Sequence, residues 1–167
     1  MLDEIDVRIL QALTVDARAA LKDVADHAGL SSPSAAERMR RLHERGVIRA
    51  YTVELNAQAL GYSLQAMVRV RPLPGKVHIV QELLEDIPEV CECDKVTGED
   101  CFIARVVARS IEQLDEIIDR ISAKAETNTS IVKSQTIARR PPPLNQSAGH
   151  APRVARRARG RRAARTS

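Results

Sequence analysis

The stretch Gly29–Gly46, GLSSPSAAERMRRLHERG, constrains the chain more tightly than any other. Gly29 and Leu30 read as a turn, Ser31 and Ser32 as N-capping hydroxyls, and Pro33 as a first-turn residue. Helix formers run from Ala35 to Arg45, and Gly46 supplies the left-handed residue that stops a helix. Ala35, Met39 and Leu42 stand at i, i+4, i+7 and make one apolar stripe. Ser34, Arg38 and Arg41 repeat that spacing one residue out of step and make a polar stripe beside it. Most Arg-rich helices are simply solvated. A short helix with one core face and one Ser/Arg face also has the layout of a DNA recognition helix.

Two further helices precede it. Asp3 is placed to cap the first, whose Ile5, Ile9 and Leu13 share a face flanked by Leu2 and Leu10. It ends in the polar run Thr14–Arg18. A second helix carries Leu21, Val24, Ala25 and Ala28 at i, i+3, i+4, i+7 and stops at Gly29. None of these short helices can bury its apolar face alone, so the three pack together as a tri-helical helix-turn-helix. After Gly46, Tyr51, Val53 and Leu55 alternate with Ala50, Thr52 and Glu54, which predicts a half-buried, wing-like strand. Arg49 opens that strand and faces either a phosphate or water.

Composition narrows the partners. The chain has 167 residues, one Phe, two Tyr and no Trp, so its cores are aliphatic. Base-stacking platforms for RNA or single strands are lacking. No apolar run approaches the ~20 residues of a membrane span and no signal peptide is evident, which predicts a cytoplasmic protein. The net charge of +4 conceals an uneven distribution. Seven Arg and no acid follow Pro141; without them, 19 Lys and Arg meet 22 Asp and Glu, leaving about −3 over residues 1–140. Outside the tail, basic side chains concentrate at Arg38, Arg40, Arg41, Arg45 and Arg49. A local patch on an acidic body is a nucleic-acid signature. Cys91, Cys93 and Cys101 lack paired zinc-ligand spacing and read as small apolar fillers on strands, so no metal is expected.

The run Leu2–Leu55 resembles the N-terminal half of the Lrp/AsnC (leucine-responsive/asparagine, or feast/famine) regulators. The matching residues are LDEIDVRIL, ALKDVADHAGLS and ERMRRLHERGVIRAYTVELN, with Gly61 following. Asn56–Tyr62 then reads as a polar linker. Beyond it the periodicity changes. Leu64, Ala66, Val68 and Val70 alternate with Gln65, Met67, Arg69 and Arg71 as a strand, and Pro72–Gly75 is a loop. Val77, Val80, Leu84 and Ile87 form a helical stripe ended by Pro88. Val90–Val96 and Cys101–Ala108 are strands joined at Gly98–Asp100. Ile111, Leu114, Ile118 and Ile121 mark a helix capped by Ser110, and Ser130–Ile137 closes as the last strand.

The expected fold is therefore α+β: an N-terminal helix-turn-helix (winged-helix-like) domain over 1–55, a linker over 56–63, and a ferredoxin-like βαββαβ domain over 64–140. Residues 141–167 lack apolar periodicity and read as a disordered basic tail. Helices cover one face of such a sheet, and a second copy is the simplest cover for the other, predicting a homodimer. The resemblance implies the same: in this family the C-terminal domain pairs subunits and binds small effectors, usually amino acids, and dimers assemble further into octamers.

Val96–Phe102, VTGEDCF, is the most informative stretch of this half. Gly98 permits a positive φ or a close backbone approach. Glu99 and Asp100 can accept hydrogen bonds from an α-ammonium group, and nearby backbone N–H groups can take a carboxylate. An ordinary acidic hairpin turn has the same composition. The resemblance favours an effector loop, since the family has Val-(Thr/Ser)-Gly-x-x-Asp-(Tyr/Phe) here, and it implies effector contacts at Thr97, Gly98, Glu99, Asp100 and Cys101. Cys101 stands where the family often has Asp. A second part of the pocket in similar proteins matches Thr129, Ser130 and Ile131.

The leading expectation is a regulator of double-stranded DNA whose binding or assembly responds to an amino acid, with no cofactor. Ser34, Arg38 and Arg41 would enter the major groove, and Ser31, Ser32 and Arg49 would hold phosphates. An architectural DNA-compacting protein driven by the tail is the alternative. An enzyme is not expected: no nucleophile–base pair, metal-ligand spacing or phosphate loop occurs, and His27 and His43 lack evident acid–base partners.

Overall fold

The computed structural model describes residues 2–144, so the tail expected over 141–167 lies, from residue 145, outside the described residues. The described residues form two compact units: 2–52 with 140–144, and Val53–Arg139.

The first unit holds α1 (Glu4–Val15), α2 (Leu21–Ala28) and α3 (Ser32–Glu44). Asp3 caps α1 in a reciprocal capping box: the Asp6 N–H donates to Asp3 Oδ1 at 2.8 Å and the Asp3 N–H to Asp6 Oδ2 at 3.3 Å. Two carboxylates in the first turn also suit the positive end of the helix dipole. Ile9, Leu10, Leu13, Val24, Ala28, Leu42 and Ile48 form the core, joined at its margin by Leu2, Ile5 and Met39. Leu144, within the segment read as a disordered tail, also packs there.

The expected wing is absent. Residues 51–56 form no strand, and Tyr51, Val53 and Leu55 are 51, 73 and 68% exposed. Alternation alone cannot make a strand, because a ladder needs a neighbouring strand to hydrogen-bond.

The second unit follows the predicted order: β1 (Leu64–Pro72), α4 (Val77–Glu85), β2 (Val90–Lys95), β3 (Phe102–Ala108), α5 (Ile111–Ser122) and β4 (Ala125–Ile131). The strands lie in the order β2-β3-β1-β4 and every neighbouring pair is antiparallel. Ala66, Val68 and Val70 of β1 and Phe102, Ala104, Val106 and Ala108 of β3 meet Val80, Leu84, Ile87, Leu114, Ile117 and Ile121 in one core. Directly paired residues point to the same face. The other face of the central strands therefore carries Met67 and Arg69 beside Arg105 and Ile103. Arg69, Arg71 and Arg105 reach Asp100, Glu126 and Glu92 at 3.4–3.8 Å, exposed pairs that contribute at most about 1 kcal/mol each.

Three local expectations change. The last strand lies at Ala125–Ile131 rather than Ser130–Ile137, because it is a polar edge strand that only Ala125 anchors in the core. Ile117 rather than Ile118 joins Leu114 and Ile121 as a buried residue of α5, and Ile111 is 47% exposed. Cys91 and Cys93 lie exposed on edge strand β2; only Cys101 packs against the core. No helix among the described residues is long and apolar enough to cross a membrane.

Ile121 is fully buried between α5 and the sheet. Ile121→Ala is expected to lower unfolding stability by about 2–5 kcal/mol, read as a fall in the urea midpoint without a change in slope.

Candidate nucleic-acid interface and effector loop

The expected recognition helix is stopped cleanly at both ends. Ser31 is its N-cap, with Oγ accepting from the Ser34 N–H at 3.4 Å and lying 2.9 Å from Ser34 Oγ. Ser32 and Pro33 occupy the first turn. At the C-terminus Gly46, at φ 68°, donates to His43 O, and the Val47 N–H donates back to Leu42 O, the two bonds of a Schellman motif. Ala35 and Leu42 are buried and Met39 packs on the core margin, so the predicted apolar stripe holds α3 on α1 and α2.

The opposite face exposes Ser34, Arg40 and Arg41, with Glu37 half-buried among them. Glu37 Oε1 accepts from Arg41 Nε at 2.9 Å and from Arg40 Nη2 at 2.7 Å, and Arg40 also pairs with Glu44. Hydrogen bonds from Arg40 and then Arg41 pull the Glu37 carboxyl from 4.5 down to about 2. Ser31 and Arg49 are exposed and Ser32 is half-buried.

Arg38 differs from what its stripe suggested. Its Nη1 lies 2.6 Å from Asp3 Oδ2 and 2.8 Å from Asp6 Oδ1, so its guanidinium is engaged on the capping box of α1. These bonds, that to Asp3 foremost, raise its pKa above the usual guanidinium value. Sequence spacing groups Arg38 with Arg41. At about 100° per residue, however, it lies only about 40° from Leu42 and 60° from Ala35, at the margin of the buried face. Asp3 and Asp6 were legible as a first-turn acidic pair, which was the available sign of a partner for a nearby Arg.

In the second unit the β2–β3 connection leaves Thr97, Gly98 and Glu99 exposed and Asp100 and Cys101 half-buried. Gly98 has φ 124°, a conformation that side chains rarely adopt. Cys101 closes the loop: its N–H donates to Val70 O at 3.1 Å and its carbonyl accepts from the Val96 N–H at 2.9 Å. Its side chain packs at the core margin, and Asp100 sits 3.7 Å from Arg69. Thr129, Ser130 and Ile131 are exposed on β4 opposite Val68, Met67 and Ala66. Strand β1 separates them from the loop, by roughly 10 Å across the sheet and 7–13 Å along it at ordinary strand spacings. A single chain therefore does not bring the two expected halves of an effector site together.

A cleft of about 320 Å³ opens between α4 and β2, lined by buried Leu84 and Phe102 and by exposed Cys93 and Lys95 among others. None of the expected effector residues lines it. Partial desolvation of the Cys93 thiol, and then the Asp94 and Glu85 carboxylates, push its pKa above the ordinary value, which disfavours a thiolate ligand. The described residues contain no cluster of three metal-capable side chains.

Comparison with known proteins places both halves. Residues 2–43 match the AsnC-type helix-turn-helix domain, and residues 65–142 match the Lrp/AsnC ligand binding domain. The chain is 36% identical over 129 residues to the HTH-type transcriptional regulator LrpA of Mycobacterium tuberculosis, covering 77% of this chain and 86% of that protein. Its fold is similar to the structure of LrpC from Bacillus subtilis, with TM-score 0.79, 27% identity and coverage of 83% of this chain and 99% of that one. It is also similar to a feast or famine regulatory protein from M. tuberculosis complexed with L-methionine, with TM-score 0.78, 33% identity and coverage of 84% and 98%.

The depressed Glu37 pKa yields a pH prediction with a definite sign. A lowered carboxylate pKa means that the pairing with Arg40 and Arg41 is complete above about 4.5 and fades only as pH falls toward 2. A carboxyl-detected NMR titration should give a Glu37 midpoint near 2 in the wild type, and one close to the ordinary 4.5 in the Arg40→Ala/Arg41→Ala variant.

Proposed function

The chain belongs to the Lrp/AsnC family of transcriptional regulators, and from that premise we propose that it binds operator DNA through α3 and adjusts that binding to an amino acid. The observation that carries this reading is the α3 surface. A doubly capped helix seated on a three-helix core exposes Ser34 and Arg41 as one stripe. Arg41 reads guanine edges in the major groove, and Ser34 lies alongside it. Ser31, Ser32 and Arg49 hold backbone phosphates and set the register. Glu37 gives up its Arg41 bond or keeps it to orient the guanidinium.

The effector is a free amino acid held at the β2–β3 loop, with Gly98 allowing close backbone approach and Glu99 and Asp100 receiving its ammonium. Because Thr129, Ser130 and Ile131 lie apart from that loop in one chain, the complete pocket takes them from a second copy. The uncovered sheet face supplies a pairing surface, and the protein works as a homodimer or a higher assembly up to an octamer on pseudo-palindromic sites. An effector that binds two assemblies unequally then shifts DNA affinity. The protein works in the cytoplasm and needs no cofactor, and no catalytic step is assigned to it. The seven Arg after Pro141 favour one second reading, sequence-indifferent DNA compaction by the tail.

Selection from randomised double-stranded DNA separates the two, run with and without each of the twenty amino acids on the full chain and on residues 1–144. Both proteins should enrich the same pseudo-palindrome, and at least one amino acid should change its affinity. Arg41→Ala should weaken binding to the enriched site about tenfold or more, the ~1–3 kcal/mol of a guanine contact. Enrichment of nothing, with binding lost on removal of 145–167, would replace the regulator with the architectural reading.

A further inference from the structure

Asp6 is the only buried charged side chain among the described residues, at 6% exposure. An isolated buried carboxylate is costly, and a guanidinium and a backbone N–H offset much of that cost. Asp6 has both: Arg38 Nη1 at 2.8 Å, and the Asp3 N–H at 3.3 Å. The same Arg38 nitrogen bridges to Asp3 at 2.6 Å, and Arg45 of the α3 C-cap lies 3.8 Å from the second Asp6 oxygen. Two residues 32 and 35 positions upstream thus grip one side chain in the middle of α3.

Apolar packing alone leaves a helix some freedom to roll, because Ala35, Met39 and Leu42 make non-directional contacts. A guanidinium fixed on two carboxylates removes that freedom. Arg38 lies between the buried stripe and the exposed Ser34/Arg41 stripe, so anchoring it fixes which residues face outward.

Resting on the DNA-binding reading above, we propose that Arg38 is a positioning residue rather than a DNA contact: it clamps α3 to the α1 capping box and thereby aims Ser34 and Arg41. The capping motif at the start of the chain and the reading face of the third helix are then one device. Changes at Asp3 or Asp6 should alter base preference although neither meets DNA.

The test uses the full chain and the DNA enriched by the wild type. Arg38→Met is measured at a temperature where circular dichroism shows it folded. It is expected to lower the ratio of enriched-site to random-DNA affinity about tenfold, while the slope of log affinity against log salt stays unchanged. In Asp6→Asn/Arg38→Gln a neutral hydrogen-bonded pair, directional like the ionic one, replaces it. This variant should bring enriched-site affinity back to within about threefold of wild type. If the double variant does not fold, Asp6→Asn alone carries the decision: it keeps Arg38 and should lower the affinity ratio as Arg38→Met does, whereas an unchanged ratio would overturn the proposal.

A salt slope reduced by about one in either variant, with no recovery in the double variant, would make Arg38 a DNA contact and overturn the proposal. An unchanged affinity ratio in folded Arg38→Met would overturn it equally. Wild type that enriches no DNA, or Arg41→Ala that binds as well as wild type, would instead count against the DNA-binding reading itself.

Discussion

The burial of Ala35 and Leu42 against α1 and α2 decides what the N-terminal unit can present to anything else. α3 has thirteen residues and would be marginal alone in water, so packing rather than propensity holds it. Burying that stripe turns Ser34 and Arg41 outward together, with Arg40 further round. The caps sharpen the result. Ser31 fixes where the helix begins, and the Schellman bonds at Gly46 fix where it ends. The Asp6–Arg38 pair then adds direction to an interface that hydrophobic contact alone leaves free to slide. Its net stabilisation is modest, because desolvation offsets much of the attraction, and its larger effect is on orientation.

The C-terminal unit meets a different constraint. Its sheet has two faces and only two helices. β1 and β3 fill the covered face with small and β-branched residues, letting α4 and α5 approach closely. The uncovered face of the central strands alternates Arg with Met and Ile, and its arginines pair with acids on neighbouring strands and the β2–β3 loop. Such a face combines paired charges with apolar area. The separation of the β2–β3 loop from Thr129–Ile131 points to a partner, since one chain carries both sets of candidate contacts without bringing them together.

Where apolar periodicity ran over a whole helix or a core strand, it carried structure. The three N-terminal helices, their caps, the βαββαβ order and the Ser110 cap of α5 follow from apolar spacing and from Ser, Asp and Gly at element ends. It failed where the deciding partner is distant or missing. Tyr51–Leu55 alternates as a strand would, but it joins no ladder among the described residues. β4 was misplaced because its polar residues AETNTSI lack the apolar alternation that Ile131 and Ile137 seemed to offer. Cys91 and Cys93 looked like fillers, but they sit on an edge strand with one side open. Arg38 shares its spacing with Arg41, yet its guanidinium meets acids 32 and 35 residues earlier. Helical spacing places a residue on a face but does not show which long-range partner it meets.

The most direct test is an NMR titration of the arginine Nε–Hε signals with the DNA that the wild-type protein selects. The account predicts that Arg41 Nε–Hε shifts on binding. Arg38 Nε–Hε should keep its free-state position, because its Nη1 stays on Asp3 and Asp6. A large shift at Arg38 with Arg41 unmoved would contradict the account, and would mean that α3 meets DNA by a different face.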